Sequence, residues 1–150
     1  PHSSRVFSAP PREALAAESY PEACALARAA TGKAISRQCW HLFPKIRELD
    51  ALADPRLRES HPELVFGRLN DGKPIAASKK SAEGQALRLK RIAAILPEAG
   101  PTYAAALERY RRKDLARDDA LDALALCAAA TRPEILQALP DDGSWPQIWY

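Results

Sequence analysis

Arg117-Asp-Asp-Ala-Leu-Asp-Ala-Leu-Ala-Leu-Cys-Ala-Ala-Ala-Thr131 decides the fold class. Ala and Leu dominate it, Pro133 stops it, and nothing inside it breaks a helix. At 100° per residue, Asp118, Asp119 and Asp122 fall within one arc, and Leu121, Leu124, Ala125 and Ala128 fill the neighbouring one. Three like charges on one side repel one another. The macrodipole tolerates anions in a first turn, which accounts for Asp118 and Asp119. Asp122 lies beyond that turn, between apolar positions, where a carboxylate needs a partner. A hard divalent cation is one such partner.

Outward from this stretch the chain remains helical. Ser19 and Glu22 form a capping box for a helix to about Thr31, with Gly32 as its stop. Ser36 opens a stripe through Cys39, Leu42, Phe43, Ile46 and Leu49, which Pro44 is expected to kink or split near Leu42. Ser81 caps a helix to about Leu96, and Thr102 to Tyr110 forms a short one. Leu57 to Phe66 carries the best strand signal, with Pro62 demoting it to an edge, a bulge or two short pieces. In an extended chain Glu59, His61 and Glu63 share a face. Val6 and Phe7 are the bulky apolar pair of the first twelve residues, Asp141 to Ser144 is a turn, and Trp145 to Tyr150 is a candidate terminal strand.

Composition bounds the rest. A chain of 150 residues is one domain's worth, so 1–150 is expected to be a single domain. Ala supplies 30 of the 150 residues, which describes a thin core of closely packed helices. The longest apolar run, Ala123 to Ala130, is far short of the roughly 20 residues of a membrane span. The net charge is +3, and the basic residues cluster between Lys73 and Arg91 and between Arg109 and Arg117. Both stretches suit phosphates. Cys24, Cys39 and Cys127 form no CxxC, and Cys24 and Cys127 read as small core residues. A reducing, cytoplasmic setting fits. The chain holds no Met and starts at Pro1, and is expected to be processed or cut from something longer.

Six segments in order resemble a family of predicted nucleases with a ribonuclease H-like fold, long filed as a domain of unknown function. They are Ser4 to Arg12; Thr31-Gly32-Lys33 with Ser36-Arg37-Gln38; Pro44 to Asp50; Glu59 to Glu63; Ser78-Lys79-Lys80 with Glu83-Gly84 and Arg88; and Asp118 to Ala123. The resemblance covers about Ser3 to Tyr150. It implies an α/β chain of the ribonuclease H-like fold and a metal-dependent nuclease. Such enzymes hold two Mg²⁺ or Mn²⁺ ions with carboxylates from the first strand, a later strand and the last helix. The carry-over makes Asp122 the first ligand and catalytic residue, Asp119 the second, and Asp118 a reserve. Glu59 matches the strand-end glutamate, with Glu63 competing. Lys79, Lys80, Arg88 and Arg112 are the expected contacts to DNA or RNA.

The family's Asp-bearing first strand and second acidic strand have no counterpart here. The expectation is therefore the C-terminal two-thirds of the fold, N-terminally incomplete and mainly helical with two or three short strands. A second copy, or another chain, would cover the missing strands. A non-catalytic nucleic-acid or protein interaction module on the same scaffold is the first alternative. A small-molecule phosphotransferase is the second, which the scattered glycines do not favour.

Overall fold

The computed structural model describes residues 10–139, 141, 148 and 149, and the chain divides into two compact units, 1–57 and 58–150. Val6, Phe7, the turn residues Asp142 to Ser144 and the start of the terminal strand lie outside the described residues.

The first unit is built from caps. A 3-10 turn, Arg12–Ala16, leads to α1, Tyr20–Thr31, and α2, Arg37–Leu52. Ser19 and Ser36 each accept from the backbone three residues on, and Gly32 ends α1 at φ +75°, where only glycine is unstrained. Ala14, Ala17, Ala23, Ala27, Cys39 and Phe43 form its core. Arg47 locks the turn by donating to the Leu15 and Ala17 carbonyls. Pro44 does not split α2: the helix continues through it to Leu52. One missing N–H is the only hydrogen bond that the ring necessarily removes, and proline's φ is itself helical.

The second unit holds β1, Glu59–Ser60; α3, Pro62–Leu69; α4, Ala82–Ala93; α5, Ala99–Arg109; α6, Arg117–Thr131; a 3-10 turn, Pro133–Ile135; β2, Ala138–Leu139; and β3, Ile148–Trp149. The three strands form a miniature sheet in the order β1-β3-β2. Glu59 and Ser60 pair in parallel with Ile148 and Trp149, and β2 runs antiparallel to β3. The chain is thus mainly helical with three short strands, and among the described residues no larger sheet occurs.

Leu64-Val65-Phe66, expected in a strand, lies instead in α3. Pro62 is the reason: its fixed φ suits a first helical turn better than a strand interior. Val65, Phe66 and Leu69 then share one helical face, which packs with Ile75, Ile92, Leu121, Ala125, Ala128 and Ala129. α6 is the centre, packing against α3, α4 and α5. Each fully buried large side chain, such as Phe66, Ile92 and Leu121, contributes about 1.5–3 kcal/mol. Cys24 is buried as expected, whereas Cys127 faces outward.

Candidate functional site

The site is set by one loop laid on two helices. Ser81 caps α4 through Gly84 N–H at 3.0 Å, and its hydroxyl donates to the Ser78 carbonyl at 2.8 Å. Gly84 is required here. A Cβ on it would stand 2.0 Å from the Ser78 carbonyl oxygen. We expect Gly84→Ala to destabilise the second unit by about 1–3 kcal/mol in denaturant unfolding, as an overpacked contact does. An unchanged midpoint would show that the turn gives way freely. Gln85 Nε2 donates to the Lys79 carbonyl at 3.2 Å, and Arg88 Nη1 donates to the Ala77 carbonyl at 3.0 Å. The backbone around Lys79 is thereby fixed from three sides.

Lys79 points its ammonium at α6. Nζ lies 3.2 Å from Asp122 Oδ2 and 3.3 Å from Asp118 Oδ2. Asp118 and Asp122 are one helical turn apart, so one cation serves both. The other Asp122 oxygen, Oδ1, is buried with no hydrogen-bond partner. Burial raises the Asp122 carboxyl above the usual carboxylate range; Lys79 pulls it down, and the charges of Glu63 and Asp118 push it further up. Burial works against the Lys79 ammonium, yet the two aspartates outweigh it and raise its pKa. Burial, the main cause, and Asp118 raise the Tyr103 phenol, with Arg117 opposing them.

Glu63 closes the group from the first turn of α3. Arg88 Nη2 sits 3.2 and 3.3 Å from its two oxygens, and the guanidinium lies over the Phe66 ring at 5.2 Å. Arg88, expected on a phosphate-contacting face, is only 3% exposed. Its spacing of four from both Gly84 and Ile92 is the signal for that burial. Lys80 and Arg112 are exposed.

The structure therefore brings together Asp122, Asp118, Glu63, Lys79 and Arg88. Asp119 is exposed on α6 away from the Lys79 pair, and Glu59 is exposed on β1. Gln85 and Tyr103 belong to the surroundings of the site, and no spacing rule points to either. Among the described residues no group of three or more His, Cys, Asp or Glu side chains is placed to hold a metal ion. Asp122 offers a hard cation one carboxylate oxygen, Oδ1, that no protein donor reaches.

The chain is a member of the family described as Protein of unknown function (DUF429), whose model matches residues 1–143. No curated protein and no solved structure gives a significant match. Among the described residues no helix is long and apolar enough to cross a membrane.

Proposed function

We propose that the chain is a divalent-metal-dependent nuclease domain of the ribonuclease H-like type, with Asp122 as its central carboxylate. The observation that supports this reading is Asp122 itself. A mostly buried carboxylate stands within a core helix, with Oδ1 unpartnered and its ionised form disfavoured by burial. A core position filled for packing alone would carry an apolar residue. Asp122 would hold Mg²⁺ or Mn²⁺, with Asp118 and Glu63 adding negative charge. The ion, when bound, supplies Lewis-acid activation of a phosphodiester. Arg88 fixes Glu63 through two oxygens, and Lys79 orients both aspartates. Lys80 and Arg112 remain available for phosphates.

Cleavage of single- and double-stranded DNA and RNA, measured with Mg²⁺, Mn²⁺ or excess chelator, tests the reading. Metal-dependent cleavage supports it. Absent cleavage with nucleic-acid binding retained selects the second reading, an interaction module, which the ion pairs of Lys79 favour because they neutralise the aspartates without a metal ion. If Lys80 and Arg112 contact phosphates, Lys80→Ala and Arg112→Ala should each flatten the salt dependence of binding, by about 0.7–0.9 in the slope of log K against log salt. The loss should be equal for any base sequence. An unchanged slope would remove both residues from the interface.

A further inference from the structure

We propose that the loop joining α5 to α6 binds single-stranded nucleic acid, with Tyr110 stacking on a base and the flanking cations meeting the phosphates. The inference deepens the nucleic-acid half of the reading above and needs no metal ion. From Arg109 to Arg117 the chain carries five cations against the single carboxylate of Asp114. That carboxylate is taken by Arg111, whose Nε lies 3.0 Å from Asp114 Oδ2. Arg112 and Lys113 are exposed and enter no ion pair among the described residues. Like charges gathered on one short loop repel one another, and folding gains nothing from them. A polyanion offsets that repulsion.

The Tyr110 ring performs no task in the fold. The residue ends α5 through its backbone N–H, which donates to the Ala106 carbonyl at 3.0 Å, and any residue except proline does the same. It is 48% exposed and lies outside both hydrophobic cores. The Arg109 guanidinium sits 5.5 Å from the ring centroid, so ring and cation stand together on the surface. A single strand uses both, because its bases stack on aromatic rings while its phosphates meet cations. A duplex keeps its base faces stacked on one another and gives the ring nothing to hold. Anionic lipid would meet the cations as well, but the loop has no exposed aliphatic side chain to enter it, Leu115 being half-buried. The loop runs directly into α6, so a strand held on it lies at the end of the helix that carries Asp118 and Asp122.

Fluorescence anisotropy of the whole chain with labelled oligothymidylate, an abasic strand of the same length and a duplex tests this. Tyr110→Ala should weaken oligothymidylate binding about 5- to 100-fold, whereas Tyr110→Phe, which keeps the ring, should stay within about twofold of wild type. Duplex binding should be the same in all three proteins. A second measurement needs no variant. Wild type should bind the abasic strand more weakly than oligothymidylate by about the factor that Tyr110→Ala costs, because that strand has the phosphates without the bases. That measurement decides the matter if Tyr110→Ala fails to fold. Equal oligothymidylate affinity in wild type and Tyr110→Ala, or equal wild-type affinity for the abasic strand and oligothymidylate, overturns the stacking and leaves the phosphate contacts standing. An equal loss on the duplex overturns the preference for single strands. Failure of the wild type to bind any of the three overturns the inference and the nucleic-acid reading together. Binding to phosphatidylserine vesicles that Tyr110→Ala abolishes, with oligothymidylate ignored, assigns the loop to a lipid surface and overturns the inference too.

Discussion

Asp122→Asn should abolish Mg²⁺- or Mn²⁺-dependent cleavage while leaving the metal-free fold at least as stable as wild type at neutral pH. Even supporting residues around metal ligands are worth about 10–100-fold in activity, so loss of the central ligand should exceed about 100-fold. The stability half follows from the sign of the pKa shift. The folded Asp122 carboxyl sits above its unfolded value, burial being the main cause. Its ionised form is therefore what the fold disfavours. That cost is present above the raised pKa and vanishes as pH falls below the unfolded value. Asparagine removes it at neutral pH, and the advantage over wild type should close on acidification. Lys79 keeps Asp118 as a partner in the variant. A structural acceptor would behave in the opposite way: the melting temperature would drop and activity would track the folded fraction. Activity and stability both unchanged would remove α6 from the active site.

Arg88→Ala should destabilise the second unit more than the truncation of any other side chain in the site. The guanidinium is buried, bridges both Glu63 oxygens, and donates to the Ala77 and Gly84 carbonyls. Truncation strands a mostly buried carboxylate and two carbonyls at once. Breaking a buried pair from one side costs about 3–5 kcal/mol. In a unit of this size each kcal/mol lowers the melting temperature by roughly 4–8 °C. Arg88→Lys should recover only part of the loss, because a point charge cannot serve a bidentate carboxylate and two carbonyls together. Adding Glu63→Gln to Arg88→Ala should restore some stability, since the stranded charge disappears. Calorimetry of Arg88→Ala, Glu63→Gln and the double variant gives the coupling, and a strictly additive double variant would show that Glu63 does not depend on Arg88.

Local chemistry is readable along the chain, and tertiary convergence is not. Ser19, Ser36, Ser81 and Gly32 announce helix ends because capping is decided within four residues. The bounds of α6 follow from Ala and Leu between Arg117 and Pro133. Leu64-Val65-Phe66 fails as a strand because three apolar residues suit either period, and Pro62 carries the deciding information as a helix opener. The resulting helix moves Glu63 off the Glu59 face and onto Arg88. Helical periodicity puts Asp119 in the same arc as Asp118 and Asp122. Only the position of Lys79, 43 residues from Asp122 in sequence, separates them. Nothing local encodes that meeting. It depends on how α4 lies against α6, which Gly84 and the Ser78 turn regulate.

The four buried alanines of α6, Ala120, Ala125, Ala128 and Ala129, have a mechanical consequence. Alanine has no rotamer to freeze and none to hop between. Much of the contact that seats this helix is therefore set by backbone position alone, without side chains that can slip from one well to another. Asp118 and Asp122 stand on a stiff post, and any looseness in their carboxylates comes from their own two torsions. The same economy makes the post unforgiving. At Ala125, Ala128 and Ala129, which pack in the core of the second unit, an added branch is expected to push α6 away from its neighbours and carry both aspartates with it.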